Sequence, residues 1–218
     1  MTGLQSLYIA DVHMLSWVLQ HCPFHIQDLT LGSRNPNLVL QPTALPNLAK
    51  VKAQPSWLTV LIPGRPIYDV TFRDIPHGVE VDIEFLCLST APIQRLSITA
   101  EHLCALSIPR LAALVPKLAI LEITYPFVGR LDSWRESWPL TQWMILALPT
   151  LPQLLHVTLE TFISELPATE ATCLSFVQKV SLLSLPLSTF TANFVGPPNI
   201  YLSWKRVGGK WYRLDVVE

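Results

Sequence analysis

Charge is scarce in this chain and nowhere concentrated. Asp, Glu, Lys and Arg make up 14% of its 218 residues, the formal net charge is -1, and no acidic or basic block exceeds two residues. Without clustered cations to neutralise phosphates, nucleic acid is not an expected partner. Four cysteines, Cys22, Cys87, Cys104 and Cys173, lie far apart among apolar residues with no CxxC pair. They read as buried free thiols rather than a disulfide framework. Long hydrophobic runs are also missing. The stretches around Leu111 to Ile123 and Trp143 to Leu155 are broken by Pro116 and Lys117 and by Pro149 and Pro152. Neither reaches the roughly 20 apolar residues of a membrane span. Met1 to Gln5 carries no cation, Asp11 interrupts what would be the apolar core of a signal peptide, and there is no Asn-x-Ser/Thr acceptor. The expectation is a protein with no membrane contact in a reducing, cytoplasmic or nuclear location.

Catalytic signatures are lacking as well: GxSxG, a P-loop, GxGxxG and HExxH do not occur. His21, Cys22 and His25 gather three metal-capable side chains in five residues. A closed zinc site needs four, usually as two spaced pairs, so these read as a loop at a helix end. No enzyme, cofactor or metal is expected. A hydrolase or transferase would require a histidine from among His21, His25, His77, His102 and His156 to meet Asp and Ser or Cys in a deep pocket.

What is present is apolar surface and punctuation. Half of the residues are hydrophobic, which excludes a disordered chain and allows a sizeable core. Nineteen prolines cut the chain into short elements. Through it runs a pattern, apolar-x-x-apolar-x-apolar, in seven copies starting at Ile26, Leu48, Ile67, Ile93, Leu118, Leu154 and Val177. Five of the six steps, at 22, 19, 26, 25 and 23 residues, fall close to the roughly 20–29 residues of a leucine-rich repeat; the sixth is 36. A unit that cannot bury its own apolar side must stack on copies of itself. The copies lack the asparagine or cysteine that follows the strand in regular repeats of that kind, so an irregular solenoid is expected.

In a strand, alternate side chains face opposite sides. The residues flanking the second apolar position of each copy should therefore leave the core together. They are Asp28 and Thr30, Lys50 and Lys52, Asp69 and Thr71, Arg95 and Ser97, Ile120 and Glu122, His156 and Thr158, and Lys179 and Ser181. All but Ile120 are polar, which predicts strands of one sheet with one wet face. This face is the expected surface for a protein partner. Ile120 marks either a contact hot spot or an error in register.

Between the strands, Met14 to Gln20 has helical spacing, and Ser56 to Leu61 reads as a brief helical turn. Pro63 and Gly64 suit the centre of a type II turn. Val79 to Leu88 is read as a helix although its first half alternates, and Ser107 to Val115 as a clearer one with Ser107 as cap and Pro109 in its first turn. The long step after Leu118 requires an insertion holding Trp134, Trp138 and Trp143. Asp69, Arg73 and Asp74 form a charged cluster beside the turn. Pro66 restrains Arg65, which lowers the entropy cost of offering its guanidinium to a partner; the competing reading pairs it with a local carbonyl or acid. Ile200 to Val207 and Lys210 to Val216 alternate on either side of Gly208 and Gly209, a strong hairpin signal. The predicted fold is α/β: about seven repeat units over 1–199, short parallel strands with helices or turns outside, closed by a capping hairpin over 200–218.

The stretches Leu45 to Leu48, Gln54 to Pro66 with its Pro-Gly-Arg-Pro segment, Thr90 to Ile98, and the terminal Ser203 to Trp211 resemble the leucine-rich-repeat portion of F-box-like proteins of mushroom-forming fungi. The resemblance implies a protein-recognition module serving as substrate receptor of an SCF-type ubiquitin ligase. A Skp1-type adaptor would dock on an F-box bundle, and residues 1 to 25 carry neither the Leu-Pro-x-Glu start nor more than one helix. A repeat-only interaction or structural protein is the alternative.

Overall fold

The computed structural model describes residues 5–10, 17–18, 25–32, 40–41, 43–75, 81–99, 103, 108–125, 146, 148–162, 186–195 and 200–214. Among the described residues ten strands are hydrogen-bonded in chain order: β1 (Ser6–Ile9), β2 (Asp28–Leu31), β3 (Lys50–Ala53), β4 (Asp69–Phe72), β5 (Arg95–Thr99), β6 (Ile120–Tyr125), β7 (His156–Phe162), β8 (Thr189–Val195), β9 (Ile200–Val207) and β10 (Lys210–Leu214). With the short helices α1 (Pro55–Leu61) and α2 (Ile108–Leu114), this is an α/β chain with a largely parallel sheet. The chain divides into two compact units, residues 1–96 and 97–218.

In the first unit β1 to β4 run parallel, and their register aligns the repeat pattern. Leu7 pairs with Leu29, Leu29 with Val51, and Val51 with Val70. The strands also begin alike, because one carbonyl of each strand's lead-in accepts two successive N–H groups from the next. Gln5 takes Gln27 and Asp28, Gln27 takes Ala49 and Lys50, Ala49 takes Tyr68 and Asp69, and Tyr68 takes Gln94 and Arg95, all at 2.8–3.3 Å. The two lone pairs of a carbonyl oxygen permit this double acceptance. In the second unit β6 to β8 are parallel, with Leu121, Val157 and Phe190 in register. Ala119 and Leu155 each accept two N–H groups there in the same way.

Besides the hairpin, two strands lie outside the seven copies of the pattern. Leu4-x-x-Leu7-x-Ile9 lies 22 residues before Ile26, and Leu187-x-x-Phe190-x-Ala192 lies 33 after Leu154. They form β1 and β8. Ala192 is small and Tyr8 breaks the rule of polar flanks, which hides both. The copy at Val177, with Lys179 and Ser181, lies outside the described residues. From Ile26 to Ala192, each described apolar position of the pattern is at most 7% exposed. Burying such a Leu, Ile or Val stabilises by about 1.5–3 kcal/mol, so this seam holds the sheet.

Helix α1 begins with Pro55, whose missing N–H is no loss in a first turn, and buries Trp57, Leu58 and Leu61 against β3. The predicted turn follows: Arg65 N–H donates to Ile62 C=O across Pro63 and Gly64, and Gly64 has φ of 75°. The expected helix over 79–88 is instead a 3-10 turn at Glu84–Leu88 within its described part. Asp82 Oδ1 accepts the Glu84 N–H at 3.0 Å, a local side-chain bond that starts a tight turn in place of a longer helix. Helix α2 falls where expected; its candidate cap Ser107, most of the 14–20 helix and nearly all of the tryptophan-bearing insertion lie outside the described residues. Cys87 is exposed, contrary to expectation, because the 3-10 turn rotates it outward while Phe85 and Leu86 go in.

The hairpin forms as β9 and β10, Val207 facing Lys210. It covers the edge of β8 but does not close the sheet. Since β9 joins β8 antiparallel, the hairpin lengthens the sheet and β10 becomes its last strand. Gly208 and Gly209 have φ of 56° and 81°, both positive as a two-residue I′ turn requires, and a Cβ placed on either would meet nothing within 4 Å. Substitution there costs backbone conformation alone. Gly208→Asn should leave thermal stability nearly unchanged, whereas Gly209→Val should destabilise by about 1–2 kcal/mol. Equal melting curves for the two variants would contradict this.

Candidate functional site

Register decides which side chains of the wet face become neighbours. In the first unit Ser6, Asp28, Lys50 and Asp69 are successive cross-strand partners, and Tyr8, Thr30, Lys52 and Thr71 form the next row. Parallel strands lie roughly 4.8 Å apart, so side chains along a row touch. The first row continues through Arg95, which shares the double-acceptor start of β5 and places Nη1 3.6 Å from Asp69 Oδ2. Charge therefore alternates across four strands: Asp28, Lys50, Asp69, Arg95.

These residues line a shallow depression of about 180 Å³, together with Val51, Lys52 and Thr71. Its lining is mostly polar, as the sequence of the face requires. Asp69 is only 9% exposed and forms the floor, while Arg95, its side chain 41% exposed, rises at the rim. An ion pair this open contributes at most about 1 kcal/mol to folding. Its value lies in fixing two charges in a known order. Of the predicted cluster, Asp69 lines the depression and Arg73 and Asp74 do not.

In the second unit the flanking positions of the pattern carry different chemistry. One row is Ile120, His156, Thr189 and Lys205; the next is Glu122, Thr158, Thr191 and Ser203. His156 Nδ1 shares a hydrogen bond with Thr189 Oγ1, and Thr191 and Ser203 hydroxyls meet at 3.2 Å. Ile120 pairs with His156 and is half-buried on this face, so the register is correct at the one apolar position. Ser97 is likewise half-buried.

Arg65 does not belong to this surface. It is 0% exposed, and its guanidinium donates to five backbone carbonyls: Nε to Ala44 at 2.6 Å, Nη1 to Val60, Leu61 and Pro63 at 3.0, 2.9 and 3.1 Å, and Nη2 to Gln41 at 2.8 Å. Burial pushes its pKa below the ordinary arginine value. The fork satisfies the carbonyls that a helix C-terminus leaves over, and its charge suits the negative end of α1. Its own carbonyl accepts Thr90 N–H and Ser89 Oγ–H. The restraint at Pro66 thus serves an internal staple, the local-carbonyl reading, and no partner.

Among the described residues there is no group of three His, Cys, Asp or Glu able to hold a metal, and no helix long and apolar enough to cross a membrane. Of the tryptophans, Trp57 and Trp204 are core and Trp17 is exposed. No protein-family model, no curated protein and no solved structure matches the chain.

Proposed function

We propose that the chain is a protein-recognition module, an irregular leucine-rich-repeat-like array that binds a protein through the wet face of its strands. The observation that carries this reading is the charge row Asp28, Lys50, Asp69 and Arg95, held in fixed order by strand register around an open polar depression. A pre-formed sheet loses little entropy on binding, and alternating charge selects a partner of complementary order more than it adds raw affinity. The recurrent double-acceptor carbonyls and the aligned apolar pattern support the repeat reading. The narrower role, substrate receptor of an SCF-type ubiquitin ligase, rests on the Pro-Gly-Arg-Pro resemblance. It predicts recovery of a Skp1-type adaptor with the protein purified from its native cell.

The test of the face is Lys50→Glu, Lys52→Glu and Arg95→Glu in one protein. Each new like-charge neighbour costs the sheet about 0.2–1 kcal/mol, small against the roughly 5–15 kcal/mol of a folded domain. Circular dichroism should stay native while a partner captured by the wild type is lost. Capture at undiminished yield by the triple variant would remove this face as the site.

A further inference from the structure

The charge row of the first unit has a definite pitch as well as an order. Its four charges stand at one height on four neighbouring strands, Asp28, Lys50 and Asp69 by register and Arg95 by the shared start of β5. Strands in a sheet are roughly 4.8 Å apart, so the row spans about 14 Å with a change of sign at every step. All four side chains line the open depression, and all four belong to the first unit.

That pitch discriminates between shapes of partner. One face of an α-helix presents residues i, i+3, i+7 and i+10, which lie about 4.5, 10.5 and 15 Å along the axis from the first. Each falls within about 1 Å of a position in the row. An extended segment presents alternate residues about 6.7 Å apart, so its fourth lies about 20 Å from its first, more than one strand beyond Arg95. Tilting such a segment shortens its projection on the row but carries its ends off the row. A second copy of the chain, reversed over this face, would also oppose unlike charges. Stacked sheets cross at about 30°, however, which moves the ends of two such rows about 4 Å out of line, whereas a helix is free to follow the row.

We propose, on the basis of the recognition face described above, that its occupant is an α-helix laid across β2 to β5 with basic, acidic, basic and acidic side chains at i, i+3, i+7 and i+10. Charge complementarity fixes the order: the first base meets Asp28 and the last acid meets Arg95. The acid at i+3 meets Lys50 and, two residues along β3 on the same face, Lys52. The base at i+7 stands over Asp69, which at 9% exposure is the floor of the depression, so its side chain is a long one, lysine or arginine. Such a helix is itself favoured, because its acid at i+3 precedes its base at i+7 by one turn.

The experiment uses the full chain and a labelled helical peptide of about seventeen residues, Ala and Gln except for Lys, Glu, Lys and Glu at i, i+3, i+7 and i+10, with binding read by fluorescence anisotropy. A peptide with the order Lys, Lys, Glu, Glu at those positions should bind on the order of ten-fold more weakly, and proline at i+5, on the outer side of the helix, should abolish binding. Lys50→Glu should weaken the alternating peptide on the order of ten-fold, and Lys in place of Glu at i+3 should restore it, a rescue that a misfolded variant would not give. Lys50→Gln, which sets no acid beside Asp28 and Asp69, should weaken it by roughly three-fold. Equal binding of the two orders, full binding of the proline peptide or absence of the rescue would overturn the proposal. So would a dimer of the chain, seen by sedimentation, that Lys50→Glu dissociates, since the occupant would then be a second copy. If the Lys50, Lys52 and Arg95 triple variant loses a native partner while the alternating helix binds neither protein, the helix is wrong and the recognition face stands. Equal binding of the helix to the triple variant and the wild type would remove the face itself.

Discussion

Arg65→Met is expected to lower stability by about 4 kcal/mol, read in urea denaturation, and the melting temperature by roughly 8–16 °C. Methionine keeps much of the length and none of the donors. Five carbonyls from three places, Gln41 and Ala44, the end of α1 and Pro63, would then lose their donor in a region where Arg65 itself is 0% exposed. Hydrogen bonds to a charged group contribute about 1.5–3 kcal/mol each, part of which is offset because the buried cation no longer has to be desolvated. Backbone strain sharpens the effect. Leu45, next to Ala44, has φ of 56°, a left-handed conformation unfavourable to a branched side chain, and the bond from Arg65 Nε helps to hold it. Arg65→Lys should lose about half as much, since an ammonium has three donors and no fork. A methionine variant within about 1 kcal/mol of wild type would show that water or rearranged backbone can serve those carbonyls.

Trp57→Ala should cost about 3–5 kcal/mol, the usual penalty for emptying a buried aromatic site. Trp57 is fully buried in the first half of α1 beside Leu58 and Leu61, and the helix packs on β3. A helix of seven residues has too few internal bonds to persist alone, so its packing face is its main support. Trp57→Phe, which leaves a smaller void, should cost roughly 1.5 kcal/mol. The two variants are compared by urea midpoint; an alanine variant no worse than phenylalanine would mean that α1 contributes little to the first unit.

Much of the sheet was legible in the sequence because period-2 alternation and a fixed apolar spacing report directly on backbone geometry. The pairs Asp28/Thr30, Lys50/Lys52 and Asp69/Thr71 fall on one face, and Leu29, Val51 and Val70 meet in register. The turn at Pro63 and Gly64 and the hairpin at Gly208 and Gly209 were legible for a similar reason: positive φ narrows the choice of residue. What could not be read was long-range. Nothing local shows that Arg65 reaches back 24 residues to Gln41, or that β9 turns antiparallel onto β8 and leaves β10 as the last strand. The order of charge across the row was equally hidden, since it depends on which residues the register sets side by side.

The carbonyls that each accept two N–H groups carry a consequence for how such a chain can vary. Gln5, Gln27, Ala49 and Tyr68 fix where the next strand begins, whatever happens in between, and the connections they span differ in length from one strand to the next. Loops can therefore grow, shrink or be exchanged without shifting a single side chain on the wet face. Diversity is free to accumulate in the connections while the order of charges stays locked to the backbone.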